Sequence, residues 1–174
     1  MNGRKINQAF GFQNQVDCMI GACTMNLANK NVCSAQNSLV DPSVSTAGEY
    51  AVNGVIVTNA ASSSAFPITP DTVIPIGAGA AFVCCFNAAG SGIAYPTNVL
   101  TSAQVSTLGA TCAVVLASDE LELPTIPVTM CPVGIYTTIA GTVSHIAGSS
   151  SFSLVTSSGG SHAFTQIMNL NKVA

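Results

Sequence analysis

Charged residues are scarce in this 174-residue chain. They make up 6% of it, against roughly 25% in an ordinary soluble domain. Hydrophobic residues make up 48%, which is the composition of a folded chain with a sizeable core. Because a charged surface keeps copies of a soluble protein apart, its absence indicates a protein that works in close contact with other protein.

Basic residues are the rarest of the charged types. The chain has four of them, Arg4, Lys5, Lys30 and Lys172, and none between positions 31 and 171. Nucleic-acid affinity and attraction to anionic membranes both depend on cations, so neither partner is expected for this body. The longest apolar stretch, at 74–86, is shorter than the ~20 residues of a membrane-spanning helix.

Residues for chemistry are also few. The chain has two histidines, His145 and His162, and no Gly-x-Ser-x-Gly sequence that would place a nucleophile on a tight turn. Spacing alone does not exclude a cysteine nucleophile paired with either histidine. We predict no catalytic residues and interpret the chain as a non-enzyme.

Metal and cofactor sites find little support. The adjacent pair Cys84-Cys85 would face opposite ways in a strand, and Cys18 and Cys23 are loosely spaced for a tight metal turn. One acidic cluster, at 119–122, is typical of a solvated turn, with a calcium site as the alternative. We predict no metal and no cofactor.

Seven cysteines leave at least one without an internal disulfide partner; they are Cys18, Cys23, Cys33, Cys84, Cys85, Cys112 and Cys131. The stretch before Cys23 is too polar for an export signal. We therefore expect reduced thiols in a cytoplasm, which act as small core hydrophobes.

From about residue 43 onward the sequence alternates short β-branched runs with Gly, Ser and Asn turns. Strands are predicted at 50–58, 71–76, 80–86, 113–116, 134–139, 142–146, 152–155 and 162–168, and a hairpin turn at Asn53-Gly54. One helix is predicted at 101–108, where Thr101 and Gln104 have the spacing of a capping box. The fold class predicted is all-β, an antiparallel sandwich or barrel of the jelly-roll or tulip-like kind, over residues 43–174.

Residues 1–42 differ from this body. They hold three of the four basic residues and show neither a helical nor a strand period. We interpret them as an extended N-terminal arm that becomes ordered on a partner. The apolar residues Phe10, Phe12, Met19 and Ile20 are the predicted interface anchors.

A proline pattern occurs twice, 57 positions apart, as Pro-x-x-Pro-x-Thr-x-x-Pro-x-Gly. Its prolines are Pro67, Pro70 and Pro75 in the first copy and Pro124, Pro127 and Pro132 in the second. Because proline suits sheet edges and the starts of strands, each copy is predicted to lead into a strand. Two related β units, about 48–110 and 111–174, and a chance likeness of two strand starts are both compatible with the pattern.

Residues 48–170 resemble the capsid cement, or decoration, proteins of tailed phages. The pattern consists of a strand with a central Gly at 52–57, a Gly/Ala-rich run into an apolar strand at 76–90, a Leu-Pro-x-x-Pro lead-in at 123–134, and a Ser/Gly turn with a Phe at 148–152. The resemblance implies a β module, often a homotrimer, on the outer capsid surface of the virion. It would be made in the host bacterial cytoplasm and would brace neighbouring copies of the major capsid protein.

Other roles remain open. A fibre, tail, spike or filament subunit would share this composition. A glycan- or receptor-binding module would display exposed aromatic side chains, but the chain has no Trp and three Tyr. Of these, Tyr95 is the candidate for a loop position.

Overall fold

The computed structural model describes residues 66–68 and 70–166, together with five short strands before them. The strands are β1 (Cys23–Met25), β2 (Cys33–Ser34), β3 (Ser43–Val44), β4 (Gly48–Val52), β5 (Val55–Asn59), β6 (Thr72–Ile74), β7 (Gly79–Asn87), β8 (Gly92–Pro96), β9 (Met130–Ile139), β10 (His145–Ala147) and β11 (Ser161–Gln166). The helices are α1 (Ser102–Leu108), α2 (Cys112–Leu116) and α3 (Phe152–Ser157). The described part is thus mostly strands with three short helices, and the all-β prediction is confirmed at this level.

The central sheet has four strands in the order β11-β9-β7-β8, and every neighbouring pair is antiparallel. Strands β7 and β9 are its two inner strands, and almost all of their side chains are buried. This explains their nearly continuous apolar sequences, because both faces of these strands are covered. The strands predicted at 80–86 and 134–139 are confirmed within β7 and β9.

One face of this sheet packs on a core that includes Phe82 and Phe86 of β7 and Tyr136 of β9. Ile74 of β6 and Ala147 of β10 belong to the same core, so the antiparallel pair β6–β10 covers this face. On the other face, Ala81 and residues of β9 pack against the helical segment. The residues of this second core are Ala81, Leu100, Val105, Cys112, Val115, Leu121, Ile135 and Ile139.

Helix α1 confirms the predicted capping box. The Thr101 hydroxyl oxygen accepts a hydrogen bond from the backbone N–H of Gln104 at 3.4 Å, and the Gln104 side chain accepts one from the Thr101 N–H at 2.7 Å. The helix ends at Gly109, whose φ of 97° lies in the left-handed region that suits glycine. Val105 is its buried residue, so the cap positions a core contact.

Two predicted strands are wrong. The segment 113–116 lies in α2, because the Thr111 side chain caps the N–H of Val114 at 3.4 Å. The segment 152–155 lies in α3, where Ser151 caps the N–H of Ser153. In both cases a hydroxyl residue before a short apolar run starts a helix, a signal that outweighs β-branched composition over five or six residues.

The predicted hairpin around 53–54 is confirmed by the strands on either side of it. Val52 pairs with Val55, and β4 and β5 continue antiparallel to Gly48 and Asn59. Strand β8 was not predicted. Its sequence, Gly-Ile-Ala-Tyr-Pro, lacks a β-branched run, and it is held as an edge strand by pairing with β7 and by a bridge from Ile68 to Ala94.

Parts of the predicted arm lie in strands. Strand β1 pairs with β4, β2 pairs with β3, and both β1 and β4 contact β9. The central sheet also combines strands from both of the predicted β units, since β7 and β8 come from 48–110 and β9 and β11 from 111–174.

Candidate functional site: an apolar face on the β6–β10 pair

The pair β6–β10 has one buried and one exposed face. Ile74, His145 and Ala147 point inward and are buried, whereas Val73 and Ile146 are 58% and 38% exposed. Val73 and Ile146 are directly paired across the two strands. Such cross-strand neighbours have side chains in contact range, so they form one continuous apolar surface.

Two further exposed apolar residues lie just beyond the ends of these strands. Ile76 is 59% exposed and Val143 is 46% exposed. Their segments run side by side, because the Gly77 N–H donates to the carbonyl oxygens of Ala140 and Gly141 at 3.2 Å each. We call the four residues Val73, Ile76, Val143 and Ile146 the apolar face.

At the end of the β6–β10 pair where Thr72 is opposite Ala147, polar contacts hold the two strands together. The Ser149 hydroxyl donates to the Asp71 carboxylate, directly outside the last paired residues, Ala147 and Thr72. Gly148 has a φ of 97°, and a side chain there would collide with Asp71 and with the Ile68 carbonyl. The turn after β10 is therefore closely fitted to the start of β6, which fixes the orientation of the apolar face.

Charge near this surface is minimal. The sequence from 31 to 171 has no Lys or Arg, and the acidic residues between 66 and 166 are four: Asp71, Asp119, Glu120 and Glu122. Residues 66–166 contribute no Lys or Arg to this surface, so what they offer there is apolar packing and backbone hydrogen bonding.

Side-chain hydrogen bonds join the acidic turn at 119–122 to α1 and to the segment that follows β8. The Asn98 amide donates to the Glu120 carbonyl oxygen at 2.9 Å, and the Glu122 N–H donates to the Asn98 side-chain oxygen at 2.7 Å. The Gln104 amide donates to the Glu120 carboxylate. The side chain of Asn98 therefore joins the segment that follows β8 to the turn at 119–122. This structural role of Asn98 was not predicted from the sequence.

Below the apolar face lie two histidines and a tyrosine. His145 is buried, and the ring of His162 lies 5.9 Å from that of Tyr136, centroid to centroid. Burial lowers the pKa of His145, and positive charge on His162 lowers it further. Burial also lowers the pKa of His162, so both imidazoles favour the neutral form.

The described thiols are poorly suited to nucleophilic chemistry. Cys112 contacts the Ser161 hydroxyl at 3.5 Å and the Thr137 carbonyl oxygen at 3.6 Å. Burial raises the pKa of Cys112 and of Cys85, which disfavours the thiolate that attacks a substrate. Among the residues that the structure describes, no three His, Cys, Asp or Glu residues converge on a metal position.

Cysteine oxidation differs from the sequence expectation. Cys131, at the second position of β9, is disulfide-bonded. Cys84, Cys85 and Cys112 are thiols, so the expectation of reduced cysteines holds for these three and is wrong at Cys131. The adjacent Cys84 and Cys85 face opposite sides of β7, because the first core contains Phe82, Cys84 and Phe86, every second residue of the strand, and not Cys85.

The predicted site residues are distributed as follows. Phe10, Phe12, Met19 and Ile20 lie outside the described residues. Tyr95 was expected on a loop, but it lies in β8 opposite Val83 and is half-buried, with its pKa raised by burial and then by Cys85. The apolar face was not predicted, since the alternation in Thr72-Val73-Ile74 and His145-Ile146-Ala147 is readable but does not tell which side is outward.

The predicted prolines occupy several kinds of position. Pro67 and Pro70 precede β6, Pro75 lies between β6 and β7, and Pro124 and Pro127 lie in the irregular segment before β9. Pro132 is inside β9, opposite Cys85, where the register of β7 and β9 shifts. Proline is tolerated there because a β-bulge leaves a backbone position out of the hydrogen-bond ladder.

Comparison with known proteins gives no relatives. No family model, curated protein or solved structure matches the chain significantly. Within the described residues, no helix has the length and hydropathy needed to cross a bilayer.

Proposed function

We propose that this protein is a structural virion protein, a capsid cement or decoration protein that binds the outer surface of a phage shell and braces neighbouring subunits. The observation that carries the proposal is the apolar face on a body without Lys or Arg. The core of a protein–protein interface is poor in charge and rich in apolar contact, and the four residues of this face have that character.

The apolar face is too small to form a complete protein–protein interface. Four side chains are fewer than the 20–30 residues per partner of a standard interface of about 1,600 Å², so this face would be the centre of a larger contact. Repetition over a lattice multiplies a modest contact through avidity. A homotrimer with the major capsid protein as its partner is the assembly that fits the sequence resemblance.

A binding experiment with empty shells tests this proposal. Shells of the major capsid protein of the same phage would be mixed with the purified protein and sedimented. Wild-type protein should pellet with the shells, and the variant Val73→Ser/Ile146→Ser should bind at least tenfold more weakly. Val128→Ser is the matched control, because Val128 is 62% exposed but lies outside the apolar face.

Each outcome has a defined meaning. Failure of the wild-type protein to pellet with shells would overturn the cement function. Equal binding by Val73→Ser/Ile146→Ser and wild type would remove the apolar face from the interface. Light scattering on the purified protein should give the mass of a trimer. The trimeric assembly would be contradicted if the protein were monomeric both when free and when bound to shells.

A further inference from the structure

Strand β10 carries a buried histidine directly beside an outward residue of the apolar face. His145 is 1% exposed, whereas the next residue, Ile146, is 38% exposed. Their partners on β6 alternate in the same way, since His145 pairs with the buried Ile74 and Ile146 with the exposed Val73. Because neighbouring residues of a strand share one backbone, a movement of His145 out of the core also displaces the apolar face.

A second imidazole acts on the first from another strand. His162, on β11 of the central sheet, is half-buried, and its charge interacts with His145. The ring of His162 lies 5.9 Å from that of Tyr136, which belongs to the core under the β6–β10 pair. The two histidines therefore interact across the boundary between this pair and the central sheet, where two positive charges would repel each other.

The other titratable groups on the surrounding elements are of a different kind. They are Tyr136 and Cys131 of β9, Cys84 of β7, Cys112 of α2 and Asp71 directly before β6. Burial raises the pKa of Tyr136 and of Cys112, and Cys131 is disulfide-bonded. Histidine is the side chain whose ordinary pKa lies between pH ~5 and ~8, and the chain has two histidines. Charge changes in this pH range therefore fall on His145 and His162.

The chain is anchored on both sides of β10. Before the strand, the Thr142 N–H donates to the Ser158 carbonyl oxygen at 2.9 Å. After it, the Ser149 hydroxyl donates to the Asp71 carboxylate. Between these anchors β10 is held to β6 by three paired residues, so a short ladder has to break for the strand to move. Movement is thus confined to 143–147, which contains His145 and two of the four residues of the apolar face.

We propose that His145 and His162 form an acid-sensitive switch that controls the apolar face. At neutral pH both imidazoles are neutral, and β10 packs on the central sheet with the apolar face in place. On acidification both rings take up a proton from solvent and repel each other. His145 then leaves the core, and segment 143–147 separates from β6 while the central sheet stays folded. This inference concerns the free protein and is independent of the proposed capsid function.

The direction of the switch follows from burial. In the closed form burial lowers the pKa of both histidines, and the charge of His162 lowers that of His145 further. In the open form His145 is in water, where its pKa returns toward ~6.5. Below that pH the open form binds a proton that the closed form does not, so acidification favours opening. Above about pH 7.5 both forms are neutral at these sites, and opening no longer depends on pH.

Hydrogen exchange followed by mass spectrometry tests the switch in the full chain. Peptic peptides covering 143–147, β7 and β9 would be compared at pH 7.5 and pH 5.5, after correction for the intrinsic exchange rate. We expect the protection of 143–147 to fall several-fold at pH 5.5, and that of β7 and β9 to change little. Unchanged protection of 143–147 would overturn the inference. An equal loss in β7 and β9 would also overturn it, because the whole domain would then be unfolding.

Two variants assign the effect to the histidines. His145→Gln keeps a polar side chain that does not titrate, so the loss of protection at pH 5.5 should disappear. His162→Gln removes one of the two charges at a half-buried position and should leave a smaller loss than in wild type. A full wild-type loss of protection in either variant would rule out a switch made of both histidines.

The imidazole resonances report the coupling directly. Because the chain has two histidines, the proton spectrum contains two imidazole spin systems, which the same variants assign. We expect both titration midpoints to lie below pH ~6.5 in wild type. The midpoint of His145 should rise in His162→Gln, because the repulsion is lost. If that midpoint were the same in both proteins, the two charges would not act on each other and the switch would be refuted.

Discussion

The ring of Phe164, on β11, lies over Gly134 on the neighbouring strand β9. A Cβ atom added to Gly134 would overlap the ring atoms Cζ and Cε1 of Phe164. The two residues are diagonal neighbours, because Phe164 pairs with Tyr136 and Gly134 pairs with Gln166. Glycine at 134 is thus a packing requirement, since its missing side chain provides the space that the aromatic ring occupies.

Substitution of Gly134 should be costly for this reason. The variant Gly134→Ala forces the Phe164 ring out of its position, and such overpacking costs about 1–3 kcal/mol in the free energy of unfolding. For a chain of this length we expect the melting temperature to fall by ~2–4 °C for each kcal/mol. Thermal unfolding followed by circular dichroism measures this loss.

A second background separates the collision from other effects. In Phe164→Ala the ring is absent, so the added penalty of Gly134→Ala should shrink to a fraction of its value in the wild-type background. The same loss in both backgrounds would mean that contacts other than the ring determine the requirement for glycine.

The cap of α1 supports the helical side of the sheet. Thr101→Ala removes the hydroxyl that accepts from the Gln104 N–H, and loss of such a cap costs about 1 kcal/mol. Because α1 contributes Val105 to the second core, the loss should appear as global destabilisation in urea unfolding. Ser106→Ala, an exposed position within the same helix, is the matched control and should change stability little. A comparable loss in both variants would contradict a specific role for the cap.

The sequence predicts the inner strands and α1 because their signals are local. The apolar runs around 80–86 and 134–139, and the pair Thr101 and Gln104, each determine their own element. The helices α2 and α3 escaped prediction, since β-branched residues such as Val114 and Val155 favour strands while the caps Thr111 and Ser151 occur too commonly to be decisive.

The candidate site is less predictable than the fold. Val73 and Ile146 are ordinary apolar strand residues in the sequence, and only the pairing of β6 with β10 turns them outward together. That pairing joins positions more than 70 apart, and no local pattern specifies it. The disulfide of Cys131 could not be predicted from the sequence either, because cysteine spacing does not determine connectivity.

Stability should depend on pH through the two histidines. Both His145 and His162 have pKa values lowered in the folded protein, whereas unfolded histidine titrates near pH ~6.5. As pH falls through that value the unfolded chain binds protons that the folded chain does not, so the free energy of unfolding decreases toward the folded pKa values. Above about pH 7.5 both states are neutral at these sites and the dependence vanishes.

Urea midpoints at several pH values measure this dependence. We expect the midpoint to fall between pH 7.5 and pH 5.5, and the fall to be smaller in His145→Gln, whose site is the more deeply buried. The variant His162→Gln should reduce the slope less. A wild-type midpoint that stays constant over this range would contradict the burial of neutral histidines.

Reduction of the Cys131 disulfide should destabilise the folded chain. Removal of a native disulfide typically costs about 2–5 kcal/mol, since the unfolded chain gains freedom when the crosslink is lost. Urea unfolding of wild type with and without a strong reductant measures the difference without any mutation. The effect of reductant should largely disappear in Cys131→Ser, because that variant has already lost the bond. If reductant lowered the midpoint of Cys131→Ser as much as that of wild type, another disulfide would be responsible for the stabilisation.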